Sequence, residues 1–114
     1  MIAQQTLHTR VTSLLSQAGW NRRPQPNTGL MTKRYSSAIG VRTAYIYLGW
    51  LAEDRSSGYL QAEYQCAGRN LLSSINALVA STMTDEDLVS VVGRFVVEVD
   101  TAVAMSRAAN RMTT

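Results

Sequence analysis

The sequence predicts a small α+β domain: a single-layer antiparallel sheet of four strands in the order α-β-β-β-β-α, with both helices on one face. Three observations lead there. Apolar stripes of helical period occupy the two ends of the chain. Runs rich in Tyr, Ile, Leu and Trp fill the middle. The connections between those runs are short, as antiparallel neighbours require.

The first helix is read between Ile2 and Ala18, where Leu7, Val11, Leu14, Leu15 and Ala18 fall on one face. Gly19 supplies the left-handed residue that ends it, and Trp20 is placed to fold back on the last turn. Asn21 to Gly29 holds two prolines and a glycine, so it predicts a loop, and it carries Arg22 and Arg23.

Three strands are expected over Met31–Ile39, Thr43–Ala52 and Tyr59–Ala67, separated by Gly40-Val41-Arg42 and by Glu53 to Gly58. Alternation assigns Ile46, Leu48 and Trp50 to the core face of the second, with Tyr45, Tyr47 and Leu51 outward. In the third, Leu60, Ala62, Tyr64 and Cys66 face the core, and Tyr59, Gln61, Glu63 and Gln65 face out. The first strand alternates poorly and carries Lys33 and Arg34, which marks it as an edge.

Leu71 to Ser81 fits either a strand or a helix. Two serines and an asparagine in its middle disfavour a helix, and Ala67-Gly68-Arg69-Asn70 supplies hairpin residues, so a fourth strand is the expectation. The alternative is αβββαα with three strands. Thr84, followed by Asp85, Glu86 and Asp87, then has capping-box spacing. Leu88, Val92, Phe95, Val96, Val99, Ala102 and Val103 continue as the stripe of a long second helix, from Asp85 to about Arg111.

Composition removes several function classes. With 46% hydrophobic and 17% charged residues over 114 positions, the chain can bury enough apolar surface to fold, and residues 1–114 read as one domain. The lone Cys66 closes no intramolecular disulfide, and one histidine makes no Cys/His zinc cluster. This points to a reducing, cytoplasmic setting. No apolar run reaches the roughly 18 residues of a membrane span.

Catalysis has few candidates. Cys66 reads as an inert thiol on a core face and His8 as a surface residue of the first helix. The adjacent Glu53 and Asp54 read as turn residues. No nucleophile elbow and no glycine-rich phosphate loop occurs. The expectation is no enzyme, no cofactor, no metal, no membrane and no small-molecule substrate.

Charge is distributed unevenly. Up to Ala52 the chain has six basic residues (Arg10, Arg22, Arg23, Lys33, Arg34, Arg42) and no acid. From Glu53 onward eight acids outnumber five arginines, and the total is +3. A basic half suits an acidic or anionic partner, and Tyr and Arg dominate many interfaces. The expected function is therefore a protein-interaction module, docking a protein partner or a second copy of itself. The residues expected to carry it are Arg22, Arg23, Lys33, Arg34 and Arg42 with Tyr45, Tyr47 and Tyr59. An adaptor, a chaperone or a mobile-element inhibitor of a host system fits this size and class. The alternative is single-stranded nucleic-acid binding, in which the tyrosines stack bases and the arginines hold phosphates.

Overall fold

The computed structural model describes residues 6–22, 30–37, 40–66 and 68–112. The element order is α1 (Leu7–Gln17), β1 (Asn21–Arg22), β2 (Met31–Ser37), β3 (Gly40–Trp50), β4 (Ser57–Glu63), β5 (Gln65–Cys66), β6 (Arg69–Asn70), β7 (Asn76–Ala80) and α2 (Asp85–Met112). Strands β1-β2-β3-β4-β7 form one five-stranded sheet in that order, with every pairing antiparallel, and β5 and β6 form a separate two-residue hairpin. The chain is thus a small α+β fold, as the sequence predicts, with one strand more in the main sheet than expected.

Helix α1 begins where the Thr6 side chain accepts from the Thr9 N–H. It ends in a Schellman motif: the Trp20 N–H reaches the Leu15 carbonyl (3.0 Å) and the Gly19 N–H that of Ser16 (3.1 Å), with Gly19 at φ +96°. Trp20 and Leu15, the positions whose apolar side chains accompany such a motif, are both buried in the core. Helix α2 begins where Thr84 Oγ1 accepts from the Asp87 N–H at 3.1 Å. Its three first-turn acids complement the helix dipole.

Both helices lie on one face of the sheet. Leu7, Val11 and Leu15 of α1 and Leu88, Val92, Phe95, Val96, Val99 and Val103 of α2 share one buried cluster with Met31, Ala44, Ile46, Leu60, Ala62 and Val79. Pairing registers put those sheet residues in rows on a single side: Met31 beside Ile46 beside Ala62, and Leu60 beside Ala77. Gly58 sits within this packing. A methyl there would approach the Gly49 carbonyl to 2.6 Å and Leu48 Cδ1 to 3.1 Å, so only glycine fits without a shift.

Several boundaries differ from the sequence reading. Gly40-Val41-Arg42 is the start of β3 rather than a turn, since Gly40, Val41 and Arg42 pair with Ser37, Ser36 and Tyr35. Asn21 and Arg22, expected in a loop, pair with Thr32 and Met31; the remainder of that loop, Arg23 included, lies outside the described residues. The third and fourth strands are shorter than expected, and one residue explains both. Asn70 Oδ1 accepts from the Tyr64 N–H (3.0 Å) and the Leu72 N–H (3.1 Å), while Asn70 Nδ2 donates to the Ala62 carbonyl (3.2 Å). The side chain thereby takes the backbone groups that a continuing strand would have used. β4 stops at Glu63, residues 71–74 turn, and the fourth long strand starts only at Asn76. No helix forms over 71–81, so the three-strand alternative is not adopted. Cys66, expected on the core face, is half-buried in the small hairpin because the strand ends before it.

Candidate functional site

A sheet covered by helices on one side presents its other side residue by residue, and the register says which. On the open face Thr32, Tyr45 and Glu63 form one row, Tyr47, Gln61 and Asn76 the next, and Gly49, Tyr59 and Leu78 a third. Arg34, beside Thr43, shares this face at its β2 end.

Tyr45 and Tyr47 are both half-buried, with ring centroids 6.5 Å apart and planes tilted by 36°. The Tyr47 hydroxyl donates to Glu63 Oε2 at 3.4 Å, across the diagonal between β3 and β4. Tyr59 is held differently. Its ring lies over Gly49, its cross-strand neighbour, so closely that a methyl on that glycine would overlap the ring. The tyrosine covers a backbone stretch that has no side chain of its own, an arrangement that strengthens glycine-containing strands. A shallow hollow of about 410 Å³ opens beside Tyr47, lined by Gln61, Ala62, Glu63, Asn70 and Ser73. Asn70, already committed to three backbone groups, sets its rim.

Among the described residues, the expected basic residues do not gather there. Of these, only Arg34, exposed, shares the tyrosine face. Arg42 has the parity of Ala44 and Ile46 and so points to the helix side, where its Nη1 donates to the Gln65 carbonyl at 3.1 Å. Lys33 also lies on the helix side, with Nζ 3.4 Å from Asp100 Oδ1 of α2 and 5.3 Å from the Tyr35 ring centroid. Tyr35 donates to the same carboxylate oxygen at 2.6 Å. Burial, then this bond and the negative charge of Asp100, push the Tyr35 phenol far above its ordinary pKa. Lys33, Tyr35 and Asp100 together fasten the outer part of β2 to α2. Arg22 is exposed in the two-residue edge strand β1, on the side opposite Asn21 and Thr32.

Arg10 turns away from any external partner as well. Its guanidinium donates to the carbonyls of Ser81 (3.2 Å) and Met83 (2.8 Å) and to Asp85 Oδ1 (3.1 Å), tying α1 to the loop before α2. His8 is exposed near the start of α1. Among the described residues no three His, Cys, Asp or Glu side chains are grouped so as to hold a metal ion, and no helix is long and apolar enough to cross a membrane.

The outward placement of Tyr45, Tyr47, Tyr59, Gln61 and Glu63 is legible from alternation alone. The separation of Arg42 and Lys33 from them is not: Lys33 lies in a strand that alternates poorly, and Arg42 reads as part of a connection and becomes a strand residue only by pairing with Tyr35. No family model matches the chain, and no curated protein or solved structure matches it either.

Proposed function

We propose that the protein is a non-enzymatic interaction module of a reducing, cytoplasmic setting, and that it docks a partner protein through the open sheet face. Such a module would serve as an adaptor, a chaperone or a mobile-element inhibitor of a host system. The observation that carries the reading is the row arrangement of that face. Tyr45 and Tyr47 lie side by side at its centre, Arg34 at one margin and Glu63 against the hollow. Rigid, half-exposed aromatics with a few charges around them are what a protein interface uses as anchors.

A protein surface fits better than single-stranded nucleic acid. Phosphate tracking needs several cations beside the stacking rings. Here Lys33 is paired with Asp100, Arg42 lies on the other side, and the Glu63 carboxylate sits 3.4 Å from the Tyr47 hydroxyl, where it would repel a phosphate.

The experiment compares proteins retained by the immobilised chain with those retained by a Tyr45→Ala/Tyr47→Ala double variant. Alongside it, fluorescence anisotropy follows a labelled single-stranded oligonucleotide at low salt. Specific retention should be lost in the double variant, with a drop of about tenfold or more in affinity for any purified partner, and the anisotropy should stay flat. Equal retention by both proteins, or salt-dependent oligonucleotide binding, overturns the reading.

A further inference from the structure

The sheet has two edges, and they differ. At the β2 edge, β1 covers Met31 and Thr32, and Lys33 and Arg34 charge the strand beyond it. Charges and short covering strands are how proteins prevent unwanted edge pairing. The β7 edge has neither. From Asn70 to Thr84 the chain contains no charged residue and no proline, and among the described residues no strand pairs with the outer side of β7.

Hydrogen-bond parity shows which groups that edge offers. The Ser81 N–H donates to the Ser56 carbonyl at 2.7 Å, just beyond the Ser57–Ala80 pair. Antiparallel pairing alternates from there. Val79 and Ala77 direct their backbone groups toward β4, and Asn76, Leu78 and Ala80 direct theirs outward. The Ala80 carbonyl already accepts from the Met83 N–H at 3.1 Å. Leu78, in the middle, offers an N–H and a carbonyl, and its side chain is 64% exposed on the open face next to Tyr59.

We infer that β7 pairs antiparallel with β7 of a second copy about a two-fold axis through Leu78, joining two five-stranded sheets into one. The register follows from the parity: Leu78 exchanges both backbone bonds with the same residue of the other copy, and Asn76 lies opposite Ala80. Three features select a second copy over a foreign strand. The outward groups are centred on one residue, so a two-fold axis matches them without offset. The neutral strand brings no like charges together. The basic strand β2 lies three strands away, about 14 Å, so two chains of net charge +3 meet at their least charged edge. The pairing does not depend on the docking role of the tyrosines, and it places the two open faces side by side.

The test is sedimentation velocity of the full chain over a range of micromolar concentrations, with circular dichroism to verify folding. The expected species has twice the 12.5 kDa mass of the chain. Leu78→Lys puts like charges on the axis. Leu78→Pro removes the outward N–H and spares the bonds to β4, a position where an edge strand tolerates proline. Each should raise the dissociation constant at least about tenfold, the size of one lost central contact, whereas Tyr45→Ala/Tyr47→Ala should leave the dimer intact. In the unmodified chain, amide exchange at Leu78 should slow as concentration rises, a readout that needs no variant. A monomer at every concentration, a dimer unaffected by both Leu78 variants, or Leu78 exchange independent of concentration overturns the inference. So does a dimer lost only in the tyrosine variant.

Discussion

Replacing Asn70 by alanine removes three hydrogen bonds at once. The side chain accepts from the Tyr64 and Leu72 N–H groups and donates to the Ala62 carbonyl, all at 3.0 to 3.2 Å. Tyr64 and Leu72 are buried, at 2% and 0% exposure, so water reaches their backbone groups poorly once the asparagine is gone. At about 1 kcal/mol net for each bond, the loss is about 3 kcal/mol. That is a large part of the roughly 5–15 kcal/mol that holds a domain together. It corresponds to a fall in Tm of about 12 °C, at about 4 °C per kcal/mol for a chain of this size. Urea and thermal unfolding measure it, and hydrogen exchange localises it, because the Tyr64 and Leu72 amides should exchange faster. Asn70→Asp keeps the oxygen that accepts from both N–H groups but sets a second carboxylate oxygen against the Ala62 carbonyl where the donor was, so it should also be less stable than wild type, while the Tyr64 and Leu72 amides stay protected better than in Asn70→Ala. Asn70 also borders the hollow beside Tyr47 and Glu63, so the same variant should weaken partner binding. A loss below about 1 kcal/mol, with unchanged exchange at those two amides, refutes the reasoning.

Two further outcomes follow from the links between sheet and helices. Arg10→Ala should cost about 2 kcal/mol because it strips bonds from the Ser81 and Met83 carbonyls, while Asp85→Asn should cost under about 0.5 kcal/mol because the Asp85 side chain is 94% exposed; urea midpoints of the two variants should differ accordingly. The Tyr35 phenol keeps its proton in the folded state to higher pH than in the unfolded state, where it titrates near 10. Below that pH both states are protonated and the contribution is complete; above it the unfolded chain releases the proton first, so stability falls as pH rises. Urea midpoints taken from about pH 8 to about pH 11 should fall more steeply for wild type than for Tyr35→Phe, and parallel slopes would contradict the assignment.

Much of the fold is legible in the chain because its signals are local. Gly19 after an apolar stripe ends α1 through the Schellman geometry that the residue type favours, and Thr84 caps α2 where the acids follow it. Alternation in β3 and β4 places Tyr45, Tyr47, Tyr59 and Glu63 on the uncovered side, since side-chain direction in a strand depends only on parity. Less legible are the places where a side chain replaces a backbone partner. Asn70 has the identity of an ordinary turn residue, yet it ends one strand and delays the next by capturing groups on both sides of the turn. Gly40 and Arg42 resemble a connection in sequence but extend β3, because β2 is there to pair with them.

By itself, the sequence determined the two helices, the antiparallel middle, the side of the sheet that the tyrosines of β3 and β4 occupy, and the uneven charge along the chain. Each rests on period, capping or composition, which act over a few residues. Tertiary structure alone decided where the charges went. It turned Lys33 and Arg42 to the helix side, committed Arg10 to carbonyls more than 70 positions away, and left Arg34, among the described residues, as the one expected cation on the tyrosine face. It also decided that a neutral strand would close one side of the sheet. Those outcomes depend on which distant backbone and carboxylate groups come within about 3 Å of a side chain, and no local pattern in the chain encodes that distance.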